Sequence, residues 1–167
     1  IHPAEPESAG RAEDFAAAAR MAREAVTAVR GKACRASEKT FFCGCADYRM
    51  TQASNADPEA KAFPEYMGAR FGAKFAVCSK DPDEKEIAEL VKCADGAENI
   101  IFSSCNAHLF RGQLALAAAL AETGVPMTVA ALRNPYDLPL MPENAALLAA
   151  FDYSRDSLAA LADVFSG

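Results

Sequence analysis

Four short runs of nearly uninterrupted apolar residues, set between longer stretches of helical periodicity, leave this chain few ways to fold. The runs are residues 40–44, 74–78, 99–103 and 125–132. Apolar residues at successive positions, rather than alternate ones, mark strands covered on both faces. Pro126 stands near the start of the last run, where a missing donor is tolerated. Around these runs the period changes. Phe15, Ala18, Ala19, Ala22, Val26 and Val29 recur at helical spacing and predict a helix over 12–30, ended by Gly31. Asp57-Pro58 and Asp81-Pro82 each set an N-cap acid before a first-turn proline, and Glu84 completes a capping box with Asp81. A stripe of Ile87, Leu90, Val91 and Ala94 follows, closed by Gly96. A further helix is expected over 108–122, stopped by Thr123-Gly124, and a last one carries Leu158, Leu161, Ala162 and Phe165. Residues 146–151 read as helix or as a short fifth strand. Strand and helix alternate throughout. The expected fold is α/β: a three-layer α/β/α sandwich with a mostly parallel sheet of five or six strands, flavodoxin-like, joined by right-handed crossovers.

Length fits one domain, since 167 residues is close to the usual ~150. Residues 1–11, rich in Pro, Glu and Gly, read as a linker, and 12–167 as a single domain. The chain opens Ile1-His2-Pro3 with no initiator Met and no leader, which predicts a processed product or a piece of a longer polypeptide. A net charge of -6 argues against a nucleic-acid partner, which a concentrated basic face would serve. No apolar run is long enough to span a membrane.

In an open parallel sheet, ligands gather at the carboxyl ends of the strands. Here those ends are residues 44–49, 79–81, 104–108, 133–137 and 152–154. The first holds Asp47, Tyr48 and Arg49; the third holds Asn106 and His108; the fourth holds Arg133, Asn134, Tyr136 and Asp137. These nine residues are the candidates for a substrate cleft. Each also has a plainer reading. Asn106 suits a helix cap as well as a ligand donor, and His108 suits a solvated first turn as well as chemistry. In the loop 133–137, the Asn and Asp side chains are expected to bond local backbone and hold a turn. Tyr136 is expected to anchor that loop in an apolar pocket.

Familiar catalytic signatures are missing. There is no GxGxxG after the first run, no GxxxxGK[ST], and no GxSxG. Cys43-Gly44-Cys45 is not a CxxC pair, and two histidines cannot build a histidine-rich metal centre. No cofactor and no metal is expected. The six cysteines, at 34, 43, 45, 78, 93 and 105, lie mostly in apolar surroundings and read as buried reduced thiols. Cys45 and Cys105 end the first and third runs, neighbours in the strand order 2-1-3-4-5, so a thiol-redox role is the competing reading for that pair.

Arg133-Asn134-Pro135-Tyr136-Asp137-Leu138, directly after an apolar run, resembles a hallmark of the glycoside hydrolase family 3 C-terminal domain, nearest its β-N-acetylglucosaminidase branch. Three other stretches agree in order. Residues 23–30 are similar to the helix that joins that family's barrel to this domain. Cys105-Asn106-Ala107-His108 with Gly112-Gln113-Leu114-Ala115 resembles its Tyr-Asn-Ala loop and following helix, and residues 149–167 resemble its tail. Ala28, Cys105 and Ser166 depart from the family's usual residues.

The resemblance implies a division of labour. In that family a TIM-like barrel carries the nucleophilic aspartate, and in this branch a His-Asp pair on a barrel loop serves as acid/base. Neither motif occurs in this chain. The expected function is therefore a C-terminal accessory domain of a bacterial β-N-acetylglucosaminidase-type glycoside hydrolase, inactive alone. Its partners would be the N-terminal catalytic barrel of the same polypeptide and, through that barrel, a carbohydrate substrate. The alternative is a stand-alone flavodoxin-like small-molecule or thiol-redox module. Location, cytoplasmic or exported, is not legible.

Overall fold

The computed structural model describes residues 12–46 and 61–167. Six strands form one sheet: β1 (Thr27–Arg30), β2 (Thr40–Cys45), β3 (Lys74–Cys78), β4 (Asn99–Ser104), β5 (Met127–Ala131) and β6 (Ala146–Ala149). Their order is β1-β6-β5-β4-β2-β3. All neighbours pair in parallel except β1, which runs antiparallel to β6 at one edge. The five parallel strands thus follow the flavodoxin-like order, with β2 and β4 side by side.

Burial explains the composition of the runs. Every residue of β2 and β5 is buried, whereas the edge strands β1 and β3 expose most of theirs. Among the described residues five α-helices cover the sheet: α1 (Ala12–Ala25), α2 (Phe63–Phe71), α3 (Glu84–Cys93), α4 (Arg111–Glu122) and α5 (Arg155–Ser166). Helices α1 and α2 pack on α5, and α3 packs on α4, giving the two helical layers. Phe42 meets Phe63 edge-on at 6.3 Å between ring centroids, and Phe63 meets Phe165 at 6.4 Å. That file of rings ties β2 to α2 and α5. The alternating pleat sends neighbouring Phe41, also fully buried, to the opposite face.

Several expected boundaries move. The helix expected over 12–30 ends at Ala25, and Thr27–Arg30 is strand. Tertiary pairing overrides the helical spacing, for Thr27 and Ala28 sit opposite Ala149 and Leu148. Arg30 fastens this edge, donating to the carbonyls of Ala145 and Pro142. Gly31 ends the strand rather than a helix. The cap of α3 is Asp83, which accepts the Glu86 N–H at 2.8 Å; Asp81 takes the Gly112 N–H at 2.6 Å instead. The box between Asp81 and Glu84 therefore does not form. The helix expected from 108 starts at Arg111, and residues 146–149 are strand. The linker 1–11 and Asp57-Pro58 lie outside the described residues.

Candidate functional site

The carboxyl ends of β4 and β5 carry two loops that meet. After β4 the chain turns through Asn106, whose φ of 55° is left-handed, a conformation asparagine tolerates better than most residues. Its carbonyl then accepts the N–H groups of Leu109 at 2.9 Å and Phe110 at 3.2 Å, closing the turn that leads into α4. Backbone, not side chain, does the capping. The Asn106 side chain is left to face the second loop, where its Oδ1 accepts from Asn134 Nδ2 at 2.7 Å.

The second loop passes into a 3-10 segment, Pro135–Leu140. From it Asp137 reaches back to His108. One carboxylate oxygen, Oδ1, accepts the His108 backbone N–H at 3.0 Å and lies 2.7 Å from Nδ1 of the same residue. The ring nitrogen donates in this pairing, so the lone pair of neutral His108 sits on Nε2. The Asp137 side chain is fully buried, while the His108 side chain is a quarter exposed. The other carboxylate oxygen, Oδ2, is buried without a partner among the described residues, as are the hydroxyls of Ser103 and Ser104 at the end of β4. Orphaned polar atoms of this kind are destabilising; the two serine hydroxyls, on successive residues of β4, lie on opposite faces of the sheet.

Two expectations for this loop are corrected. Asp137 and Asn134 bond the other loop, not local backbone. Tyr136 is not anchored in a pocket; it is 69% exposed, with its ring edge-on to His108 at 5.9 Å between centroids. The cause is the 3-10 geometry, which turns Asp137 and Leu138 inward and leaves Tyr136 outside. Arg133 is exposed, near enough to Cys105 for its charge to act on that thiol. Asn106, His108, Asn134, Tyr136 and Asp137 are thus brought together, with Arg133 beside them. Asp47, Tyr48 and Arg49 lie outside the described residues.

Cys45 and Cys105 are buried free thiols, and they hydrogen-bond each other. That contact, together with burial, pushes the Cys105 thiol well above its ordinary range. Cys78 is raised in the same way by its contact with Cys43. Neutral, shielded sulfur is a poor nucleophile. Among the described residues no cluster of three or more His, Cys, Asp or Glu side chains is placed to hold a metal ion, and no helix is long and apolar enough to cross a membrane.

Gln113 was legible only as part of a longer stretch, yet it holds the first loop in place. Fully buried on α4, it accepts from the Cys105 N–H and donates to the carbonyls of Cys105 and Lys80. The signal that marks it is a polar residue among the apolar positions of a helix. Phe151, just past β6, has a φ of 62°, a strained conformation for an aromatic residue, and is half exposed.

No family model and no curated protein matches this chain. Solved structures do. A glycoside hydrolase family 3 β-N-acetylglucosaminidase from Paenibacillus sp. str. FPU-7 matches with a TM-score of 0.79 and 20% identity, covering 100% of this chain and 33% of that one. A β-glucosidase from Listeria innocua matches with a TM-score of 0.72 and 12% identity over 99% of this chain and 27% of the enzyme. The β-N-acetylglucosaminidase from Thermotoga maritima gives 0.56 and 13% over 89% and 31%. The chain spans about a third, or less, of the length of these proteins. It has the fold found in one part of such glycosidases.

Proposed function

We propose that this chain is a C-terminal accessory domain of a bacterial β-N-acetylglucosaminidase-type glycoside hydrolase. It packs on a catalytic barrel elsewhere in the same polypeptide and turns its strand-end loops toward the substrate cleft. The observation that carries the reading is coverage: all of this chain, every layer included, corresponds to only a third of a larger glycosidase. The surface agrees with it. Helix α1 buries no residue, and Phe15, Met21 and Val29 are 65%, 67% and 53% exposed. Such apolar surface suits a partner domain.

The chemistry sets the division of labour. Retaining glycoside hydrolysis uses two carboxyl-type groups about 5 Å apart across one bond. Among the described residues His108 and Asp137 are paired and no third acid joins them, so we read this domain as one that assists and does not catalyse alone. A stand-alone thiol-redox module is the competing reading, favoured by the Cys45–Cys105 contact. The burial of both thiols and the raised protonation of Cys105 oppose it.

The test is hydrogen exchange of this chain alone against the same residues joined to whatever their reading frame encodes upstream. Strong protection of α1 and β1 in the longer polypeptide is expected. An upstream sequence without a barrel, or exchange unchanged beside one, overturns the proposal.

A further inference from the structure

We propose that the groove between α4 and residues 140–144 docks a segment of a partner protein, one that presents a large apolar side chain flanked by lysine or arginine. The groove has a volume of about 480 Å³ and shares no residue with the His108–Asp137 pair.

Its walls are apolar and already shaped. Leu114 and Ala118 of α4 line one side, and Leu140 and Met141 the other. The 3-10 segment sends Leu138 into the core but leaves Leu140, its last residue, 54% exposed on the groove. Pro139 and Pro142 bracket Leu140 and Met141, and each proline fixes its own φ. Two backbone bonds stiffen the turn further: the Met141 N–H donates to the Leu138 carbonyl and the Ala145 N–H to the Pro142 carbonyl, both at 3.2 Å. A wall held this way costs a partner little to order, which favours binding by a single apolar anchor.

Charge selects the flanking residues. Glu122 and Glu143 both line the groove and are exposed, and among the described residues no lysine or arginine lines it. Neither glutamate is in a salt bridge among the described residues. Glu122 is moreover the last residue of α4, whose final turn carries no basic residue. The free carbonyls there already make that helix end negative, so a carboxylate beside them repels its own helix and favours a cation from outside. Two acidic flanks around an apolar floor fit a basic, apolar segment and reject an acidic one. A second copy of this chain would set glutamates against glutamates if it presented the same groove.

The experiment is a titration of the 167-residue chain with an end-blocked Lys-Leu-Lys-Leu-Leu-Lys peptide, followed by NMR on the methyls of Leu114 and Leu140 and on the backbone amides around them. Saturable shifts centred there are expected, with a Kd of about 0.05–1 mM, the scale of a short segment on an open groove. The same peptide with Glu in place of each Lys should bind at least about tenfold more weakly. Raising the salt from about 0.05 to 0.5 M should weaken the lysine peptide at least about threefold. Leu140→Ser, and Glu122→Gln combined with Glu143→Gln, should each weaken binding at least about fivefold. These positions are exposed, so both variants should keep the parent's spectrum away from the groove. No saturable shift, shifts centred elsewhere, equal binding of the Glu peptide, or unchanged affinity in both variants overturns the proposal. So do groove shifts that follow the chain's own concentration without peptide, which would assign the groove to a second copy.

Discussion

Gln113 pairs with Cys105 as a neighbouring strand would. Its Oε1 accepts the Cys105 N–H at 3.0 Å and its Nε2 donates to the Cys105 carbonyl at 3.1 Å. Cys105 is the first residue past β4, where the sheet ladder has run out, and the amide of α4 replaces it. The same Nε2 lies 2.8 Å from the Lys80 carbonyl, so one side chain ties the loops after β3 and β4 to one helix. Gln113→Leu should therefore leave buried backbone groups unpaired and reduce stability by about 2–3 kcal/mol. Thermal melting checks this, with a fall of roughly 4–12 °C expected for a chain of this size.

Asp137 should be more sensitive than its partner. Removing a fully buried carboxylate that holds His108 strips two hydrogen bonds at once, and Asp137→Ala should reduce stability by about 3 kcal/mol. Asp137→Asn keeps an acceptor and should lose about half as much. His108→Ala removes the ring's bond to Asp137 and keeps the backbone one, and should fall between them. Melting of the three variants side by side gives the order; an Asp137→Ala protein as stable as the parent would contradict the pairing.

Much of the fold was legible because central strands carry their own signal. The four apolar runs correspond to β2, β3, β4 and β5, each within two residues at either end. Edge strand β1 was hidden, because Ala28 and Val29 continue the spacing of α1 and only pairing with β6 makes them strand. The candidate site was legible in location and not in wiring. Strand-end reasoning led to Asn106, His108, Asn134 and Asp137, but His108 and Asp137 stand 29 residues apart. No local rule joins residues at that separation, so sequence reasoning gave Asp137 a local backbone partner and left His108 solvated. Tyr136 failed for the same reason, since its exposure follows from which neighbours the 3-10 turn sends inward.

The thiols offer a clean check of the competing reading. Cys45 and Cys105 touch as free thiols, and burial with that contact keeps Cys105 protonated. Counting on denatured, unreduced protein should return all six cysteines of the sequence. Two missing thiols that map to Cys45 and Cys105 would mean the pair oxidises in the folded protein.

Asp152 sets a small pH dependence at the start of α5. Burial raises its carboxyl, but hydrogen bonds from the Ser154 and Ser157 hydroxyls and from the backbone of Tyr153 outweigh burial and hold it below the ordinary 3.8. A carboxyl lowered by folding binds protons less readily in the native state than in the unfolded chain. Its contribution is therefore complete above about pH 5 and lost as the pH falls through the folded value. Asp152→Asn should lower the melting temperature at pH 7 by roughly 1–2 °C, a small effect because solvent screens the group. The gap should narrow as the pH falls through the carboxyl's folded value; a gap that widens on acidification would contradict the assignment.

The account turns on whether this domain needs a barrel in order to act. The direct measurement is hydrolysis of an aryl N-acetylglucosaminide by the purified 167-residue chain. Among the described residues no third His, Cys, Asp or Glu side chain joins the His108–Asp137 pair, so the chain should release no more aryl product than a buffer blank. Turnover above that blank, retained through repurification and scaling with the chain's concentration, would contradict the account.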